Sequence, residues 1–304
     1  MDLYLPIAEL SVNALVIIAL GGLVGILSGM FGVGGGFLTT PLLIFYGIPP
    51  AVAVASASTQ ITGASVSGVH AHMQRKGVDF HMGAVLVAGG VAGAFAGSEL
   101  FRILQQAGQI DLVVGVLYVL LLGGIGVLMA KEAWQTINAR RTGIGVRPPA
   151  RHHHPAVARL PFRWRFYRSG LYISPLAPFA IGFGTGILTV LMGVGGGFIL
   201  VPAMIYVLGM STKVVVGTSL FQILFVTAAT TMIHAITTQA VDIVLAVLLL
   251  LGSVTGAQLG ARFAQKMRPE WLRLLLAVLV ILVAIRMALG LGWRPDEIYT
   301  VQLL

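Results

Sequence analysis

Charge is what this sequence has least of. Only 10% of its 304 residues are Asp, Glu, Lys or Arg, against about a quarter in soluble domains. Hydrophobic residues make up 57%, and mean hydropathy is +0.95. So little polar surface cannot coat a water-soluble globule, so the chain is read as an integral membrane protein. Cysteine is absent, which excludes disulfides, thiolate ligands and redox catalysis through protein thiols. No His-Glu-x-x-His pattern or pair of intramembrane acids supplies reaction chemistry, so no enzyme activity, cofactor or metal is expected. The residues from Met1 to Glu9 contain no Lys or Arg and so lack the basic start of a cleavable signal peptide. The first apolar run is expected to stay.

Glycine, by contrast, is abundant and placed with purpose. Gly32-Val33-Gly34-Gly35-Gly36-Phe37 recurs as Gly193-Val194-Gly195-Gly196-Gly197-Phe198, and Pro41 and Pro202 follow the two copies. Adjacent glycines are costly inside a helix, yet each cluster sits in the middle of an apolar run. The run from Val12 to Tyr46 is too long for one helix across a core of about 30 Å at about 1.5 Å per residue. It reads as two helical pieces joined at the glycines. A helix from Pro49-Pro50 to Met73, one capped by Asp79 and reaching Leu104, and one capped by Asp111 and reaching Ala130 should follow.

From Lys131 to Gly170 eight arginines occur, from Arg140 to Arg168, with no acid after Glu132. This is a basic linker, cytoplasmic by the positive-inside rule. The run His152-His153-His154 within it reads as part of a polar loop, since further ligands are missing. The chain then repeats: Gly32 aligns with Gly193, Gln60 with Gln222, Asp79 with Asp242, and Gly93 and Gly97 with Gly256 and Gly260. Residues 1–134 and 173–304 thus form two transmembrane repeats around the linker at 135–172. The turn after the Gln-bearing helix carries Arg75 and Lys76 in the first half and no base in the second, whereas the next turn reverses that bias with Lys266 and Arg268. Corresponding loops belong on opposite sides. The expected fold is an all-α polytopic membrane protein of two inverted-topology repeats, each of about five helical elements, the first two forming a hairpin broken at the Gly-Val-Gly-Gly-Gly motif. Both termini are expected outside the cell membrane.

Non-helical backbone at membrane depth must be buried in protein or line a wet cavity. Two broken helices at a repeat interface therefore imply a site, and two helix N-termini facing each other imply a small anion. Gly34, Gly35, Gly36, Gly195, Gly196 and Gly197 would bring backbone N–H groups to it, beside Phe37 and Phe198. Thr39 follows the first cluster, where the second copy has Leu200. Gln60 and Gln222 either face the pocket or hydrogen-bond a neighbouring helix. Most Ser and Thr on the same helices should bond their own backbone, and Gly93, Gly97, Gly256 and Gly260 should serve close helix packing. His70 and His234, near helix ends, suit an interface or a proton relay. Carbonyls at helix C-termini could instead hold a sodium ion, which keeps a cation-coupled carrier open.

Two Gly-Val-Gly-Gly-Gly-Phe hairpins, each followed by Pro and a Ser/Thr-x-x-Gln helix, resemble the TauE/SafE family of sulfite and organosulfonate exporters. The resemblance spans nearly the whole chain apart from the linker. It implies an inner-membrane permease for anionic sulfur compounds and a substrate-site role for Gly34, Gly35, Gly36, Gln60, Gly195, Gly196, Gly197 and Gln222. The expected partners are a small anion and the lipid bilayer, with a homo-oligomer allowed and no nucleic acid. The arginine-rich linker is longer than the family pattern and suits a regulatory or lipid-contacting role.

Overall fold

The computed structural model describes residues 2–31, 36–74, 76–141, 161–266 and 269–292. Gly32 to Gly35, Arg75, the linker stretch 142–160 with His152 to His154, and Arg268 lie outside the described residues. Among the described residues, each half contains a short β-hairpin and five helices. The first half contains β1 (Asp2–Leu5) and β2 (Leu10–Asn13), then α1 (Ala14–Phe31), α2 (Gly36–Phe45), α3 (Pro50–Gln74), α4 (Phe80–Gln106) and α5 (Ile110–Arg141). The second contains β3 (Trp164–Phe166) and β4 (Leu171–Ile173), then α6 (Leu176–Met192), α7 (Gly197–Tyr206), α8 (Thr212–Thr237), α9 (Ile243–Lys266) and α10 (Pro269–Gly292). Among the described residues, five helices are long and apolar enough to cross a membrane, and α1, α2, α6 and α7 are shorter apolar helices.

The hairpins are the main departure from the sequence reading. Residues 2–13 pair Asp2 with Asn13 and Leu5 with Leu10, and Trp164 to Phe166 pair with Leu171 to Ile173, across a turn that ends on left-handed Gly170. The first buries Leu5, Ala8 and Val12 and the second Phe166, Leu171 and Ile173, but strands of three or four residues are too short for an alternating pattern to stand out. Helix α5 also runs beyond Ala130 to Arg141, because residues 131–141 contain neither Gly nor Pro to stop it. Asp111 falls inside the first turn of that helix and not at its cap, where its charge still opposes the positive end of the dipole. Asp79 caps α4 as expected, accepting from Met82 N–H at 3.2 Å.

Glycine decides which helices meet. A side chain on Gly21, Gly25 or Gly29 of α1 would run into the backbone of Leu249, Ser253 or Ala257 of α9, and one on Gly89, Gly93 or Gly97 of α4 into that of Phe179, Phe183 or Ile187 of α6. Gly252, Gly256 and Gly260 do the same from α9 toward α1. Small residues let these backbones touch where lipid supplies no hydrophobic drive. The contacts advance in the same direction along both chains, so α1 runs parallel to α9 and α4 parallel to α6. Helices α3 and α8 cross antiparallel, with Thr59 opposite Thr231 and Thr62 opposite Thr227, and α5 and α10 also pair antiparallel, Gly115 on Leu291 and Gly126 on Ile281. The first helix of each half therefore packs along the fourth helix of the other, α1 on α9 and α6 on α4.

This seam makes a sharp prediction. Gly93→Val should lower the stability of the detergent-solubilised protein by about 3 kcal/mol, the upper range for overpacking. Gly124→Ala, with nothing within 4 Å of its added methyl, should not. Thermal unfolding of the two variants checks it, and equal melting temperatures would refute close α4–α6 contact.

Candidate functional site

The two halves touch at their glycine segments. In the second half the chain leaves α6 at Gly193, passes through Gly195 and Gly196 and starts α7 at Gly197, with φ of 69°, 72° and 74° at the three glycines before the helix. Left-handed backbone of this kind costs about 1–2 kcal/mol for a residue with a side chain. A Cβ on Gly195 would lie 3.1–3.3 Å from Ile61, Ile223 and Thr227, and one on Gly196 would press on Thr185 and Thr189. From the first half comes Gly36, the first residue of α2, which leaves no room for a side chain against Ile61 and the Val194 carbonyl. One residue on, Phe37 stacks on Phe198 with centroids 4.8 Å apart and planes at 12°. Both rings are buried.

The broken ends are treated unequally. A helix that stops at membrane depth leaves carbonyls without partners. Here Tyr118 of α5 donates to Met192 O at 2.6 Å, and His234 of α8 reaches Val190 O at 3.1 Å through Nε2 while its Nδ1 meets Thr238 Oγ1. The carbonyl end of α6 is thus capped by side chains. The amide end of α7 starts at Gly196 with no side-chain cap. The open end of the break is the end with positive partial charge.

Gln60 and Gln222 occupy corresponding places with different surroundings. Gln60 accepts from Thr39 Oγ1 at 3.1 Å, both residues being buried. Gln222 is 0% exposed, and neither its Oε1 nor its Nε2 has a hydrogen-bond partner. Leu200 stands where a partner like Thr39 would. The Gln222 amide lies toward Gly90 of α4, whose added methyl would sit 2.9 Å from Nε2. Thus Gly36, Phe37, Thr39, Gln60 and Gly195 to Phe198 gather at the centre, Gln222 opens onto the adjoining α4–α8 contact, and Gly34 and Gly35 lie outside the described residues.

The α3–α8 crossing adds hydroxyls not singled out from sequence. Thr62 Oγ1 is 2.8 Å from Thr227 Oγ1, while both also approach carbonyls of their own helices, Ser58 O and Ile223 O. Two hydroxyl protons cannot serve all three contacts at once, so the Thr62–Thr227 contact and the two backbone contacts compete. The signal was the spacing of Thr59 and Thr62 on one helix face. Their backbone bonds, with those of Ser58 and Ser67, follow the expected local pattern. Of the two histidines, His70 is exposed and pairs with Gln74. Two cavities, of about 430 Å³ at the β3–β4 hairpin and about 300 Å³ between α2, α5 and α10, are lined by other residues.

Residues 17–287 match the family described as "Sulfite exporter TauE/SafE". The chain belongs to that family. A "Probable membrane transporter protein" of Xylella fastidiosa is 28% identical over 284 residues, covering 93% of this chain and 96% of its own. The "Probable membrane transporter protein YunE" of Bacillus subtilis is 26% identical over 276 residues, covering 88% and 94%. No solved structure matches the chain. The TauE/SafE match takes in both glycine segments, both glutamines and the α3–α8 crossing.

Proposed function

We propose that this TauE/SafE protein is a secondary transporter, and not an enzyme, that exports small sulfur-containing anions such as sulfite or organosulfonates. Substrate binds near the membrane midplane between the two glycine segments, at the N-termini of α2 and α7. The observation that carries this reading is the unequal capping of the break: side chains of Tyr118 and His234 take the carbonyl end, and the amide end is left for a ligand. Gln222 supports it, since a buried amide without partners is disfavoured by about 1–3 kcal/mol unless something else binds it. The same capping weakens a sodium site built on α6 carbonyls, because two of them already accept. Transport of a different small anion is the alternative within this reading.

The domains and topology follow the same proposal. Residues 1–134 and 173–304 are inverted repeats joined by a basic linker at 135–172, a reading supported by the opposed directions of α3 and α8 and of α5 and α10. The chain sits in the cell inner membrane with the linker inside and both termini outside, as the loop charges favour. Proteoliposomes holding the purified protein and loaded with sulfite or a sulfonate are expected to lose it faster than protein-free vesicles. The assay is repeated over an anion panel and with and without a sodium gradient. Flux equal to empty vesicles for every anion would overturn the proposal, and flux that needs sodium would favour the cation-coupled form.

A further inference from the structure

Two buried carboxylates have no part in the central site. Asp79 and Asp242 are 1% and 0% exposed and stand at the starts of α4 and α9. These helices run in opposite directions, so the two acids lie at opposite ends of the bundle. Each caps its helix, Asp79 through Met82 N–H at 3.2 Å and Asp242 through Leu245 N–H at 3.0 Å. Each also gives its own backbone N–H to a buried hydroxyl of the other half, Asp79 to Thr218 at 3.0 Å and Asp242 to Ser56 at 3.2 Å. The second carboxylate oxygen then holds the turn of the other half's hairpin. Asp79 Oδ2 accepts from Ser169 N–H at 2.9 Å and Ser169 Oγ–H at 2.5 Å, and Asp242 Oδ2 accepts from Ile7 N–H at 3.3 Å. Capping requires the first of these bonds and none of the others.

We infer that Asp79 and Asp242 position the two gates of the transport cycle, each clasping the opposite half's hairpin at its own face of the bundle, so that release of one clasp opens that face. The inference rests on the transporter reading. The mechanical link is direct. β2 ends at Asn13 and α1 begins at Ala14, while β4 ends at Ile173 and α6 begins at Leu176. Helices α1 and α6 lead straight to the glycine segments, so a hairpin that lifts pulls on the helix that ends at the central site. Reciprocity couples the halves, because each hairpin is held by an acid of the other repeat.

The clasps are unequal. On the β3–β4 side Arg168 adds a hydrogen bond to Val78 O at 2.7 Å and lies 5.6 Å over the Phe80 ring, next to the two Ser169 bonds. On the β1–β2 side the grip on the turn is the 3.3 Å bond from Ile7. Each hydrogen bond to a carboxylate is charge-assisted, and Asp79 Oδ2 accepts two from its hairpin turn where Asp242 Oδ2 accepts one. The β1–β2 face is therefore the one that opens more readily.

The chain suits a direct test, because it contains no cysteine. Thr39→Cys places a single reporter beside the central site, and an impermeant maleimide is applied to intact cells and to inverted membrane vesicles. The reporter should label faster from the β1–β2 face. Ser169→Ala should raise labelling from the β3–β4 face by about fivefold, the factor for one hydrogen bond of ordinary net strength, and Ser56→Ala should raise it from the β1–β2 face. Both variants leave the helix caps intact, and Asp79→Ala and Asp242→Ala should act in the same directions more strongly. Equal changes from both faces, unchanged rates in normally inserted variants, or no labelling at all would each overturn the gate assignment and leave the two acids as helix caps. The labelling needs no transported solute, so it can succeed or fail whatever the flux assay gives.

Discussion

Gln222→Leu should make the protein more stable and stop it from working. The amide is fully buried with neither polar atom partnered, and each such group disfavours the folded state by about 1–3 kcal/mol. Leucine is close in volume and demands no hydrogen bond, so its melting temperature should rise. Transport should fall at least tenfold, as expected when a ligand loses one hydrogen bond of about 1.5 kcal/mol or more. Leu200→Thr tests the same point from the other side. It offers the kind of hydroxyl that Thr39 gives Gln60, so it should weaken substrate binding, while loss of a buried leucine lowers stability. A Gln222→Leu protein that is less stable than wild type, or that transports normally, would remove Gln222 from the site.

Gly195→Val is expected to reduce flux to the level of empty vesicles. Its φ of 72° lies in the left-handed region, where a β-branched residue is strained by more than the roughly 1–2 kcal/mol of an ordinary one. The added atoms would also press on Ile61 and Ile223 from opposite halves. Relief requires the break to move, and with it the start of α7 at Gly197. Gly108→Ala separates strain from position, because its φ is 67° and nothing lies within 4 Å of the added methyl. That variant should share the destabilisation of about 1 kcal/mol and keep its flux. Flux and thermal unfolding measured together decide the matter, and normal transport by Gly195→Val would mean that the break is only structural.

Both predictions turn on features that were only partly legible in the sequence. The duplicated Gly-Val-Gly-Gly-Gly-Phe motif pointed to this segment, and in its second copy Gly193, Gly195 and Gly196 take positive φ ahead of α7. Gly93, Gly97, Gly256 and Gly260 were read as packing residues and face backbone across the α4–α6 and α1–α9 seams. Asp79 was read as a cap, and a cap it is. In each case the signal is local, because a positive φ, a missing Cβ or a short acceptor before a helix acts within a few residues of its own position. The hairpins were not legible, since strands of three or four residues are too short to leave an alternating pattern. Nor was the second task of Asp79, because Ser169 and Thr218 are distant in the chain and come to it only when the halves dock.

The sequence alone determines that this is a membrane chain carrying one glycine-rich motif twice, for low charge, repetition and clustered glycine are properties of composition and order. Tertiary structure alone decides which end of the break is free and which glutamine is unpaired. Tyr118, His234 and Thr39 reach their partners from other helices, and hydrogen bonds are satisfied by proximity in space. Corresponding residues in two similar halves can therefore carry the same letter and different work, as Gln60 held by Thr39 and Gln222 without a partner show.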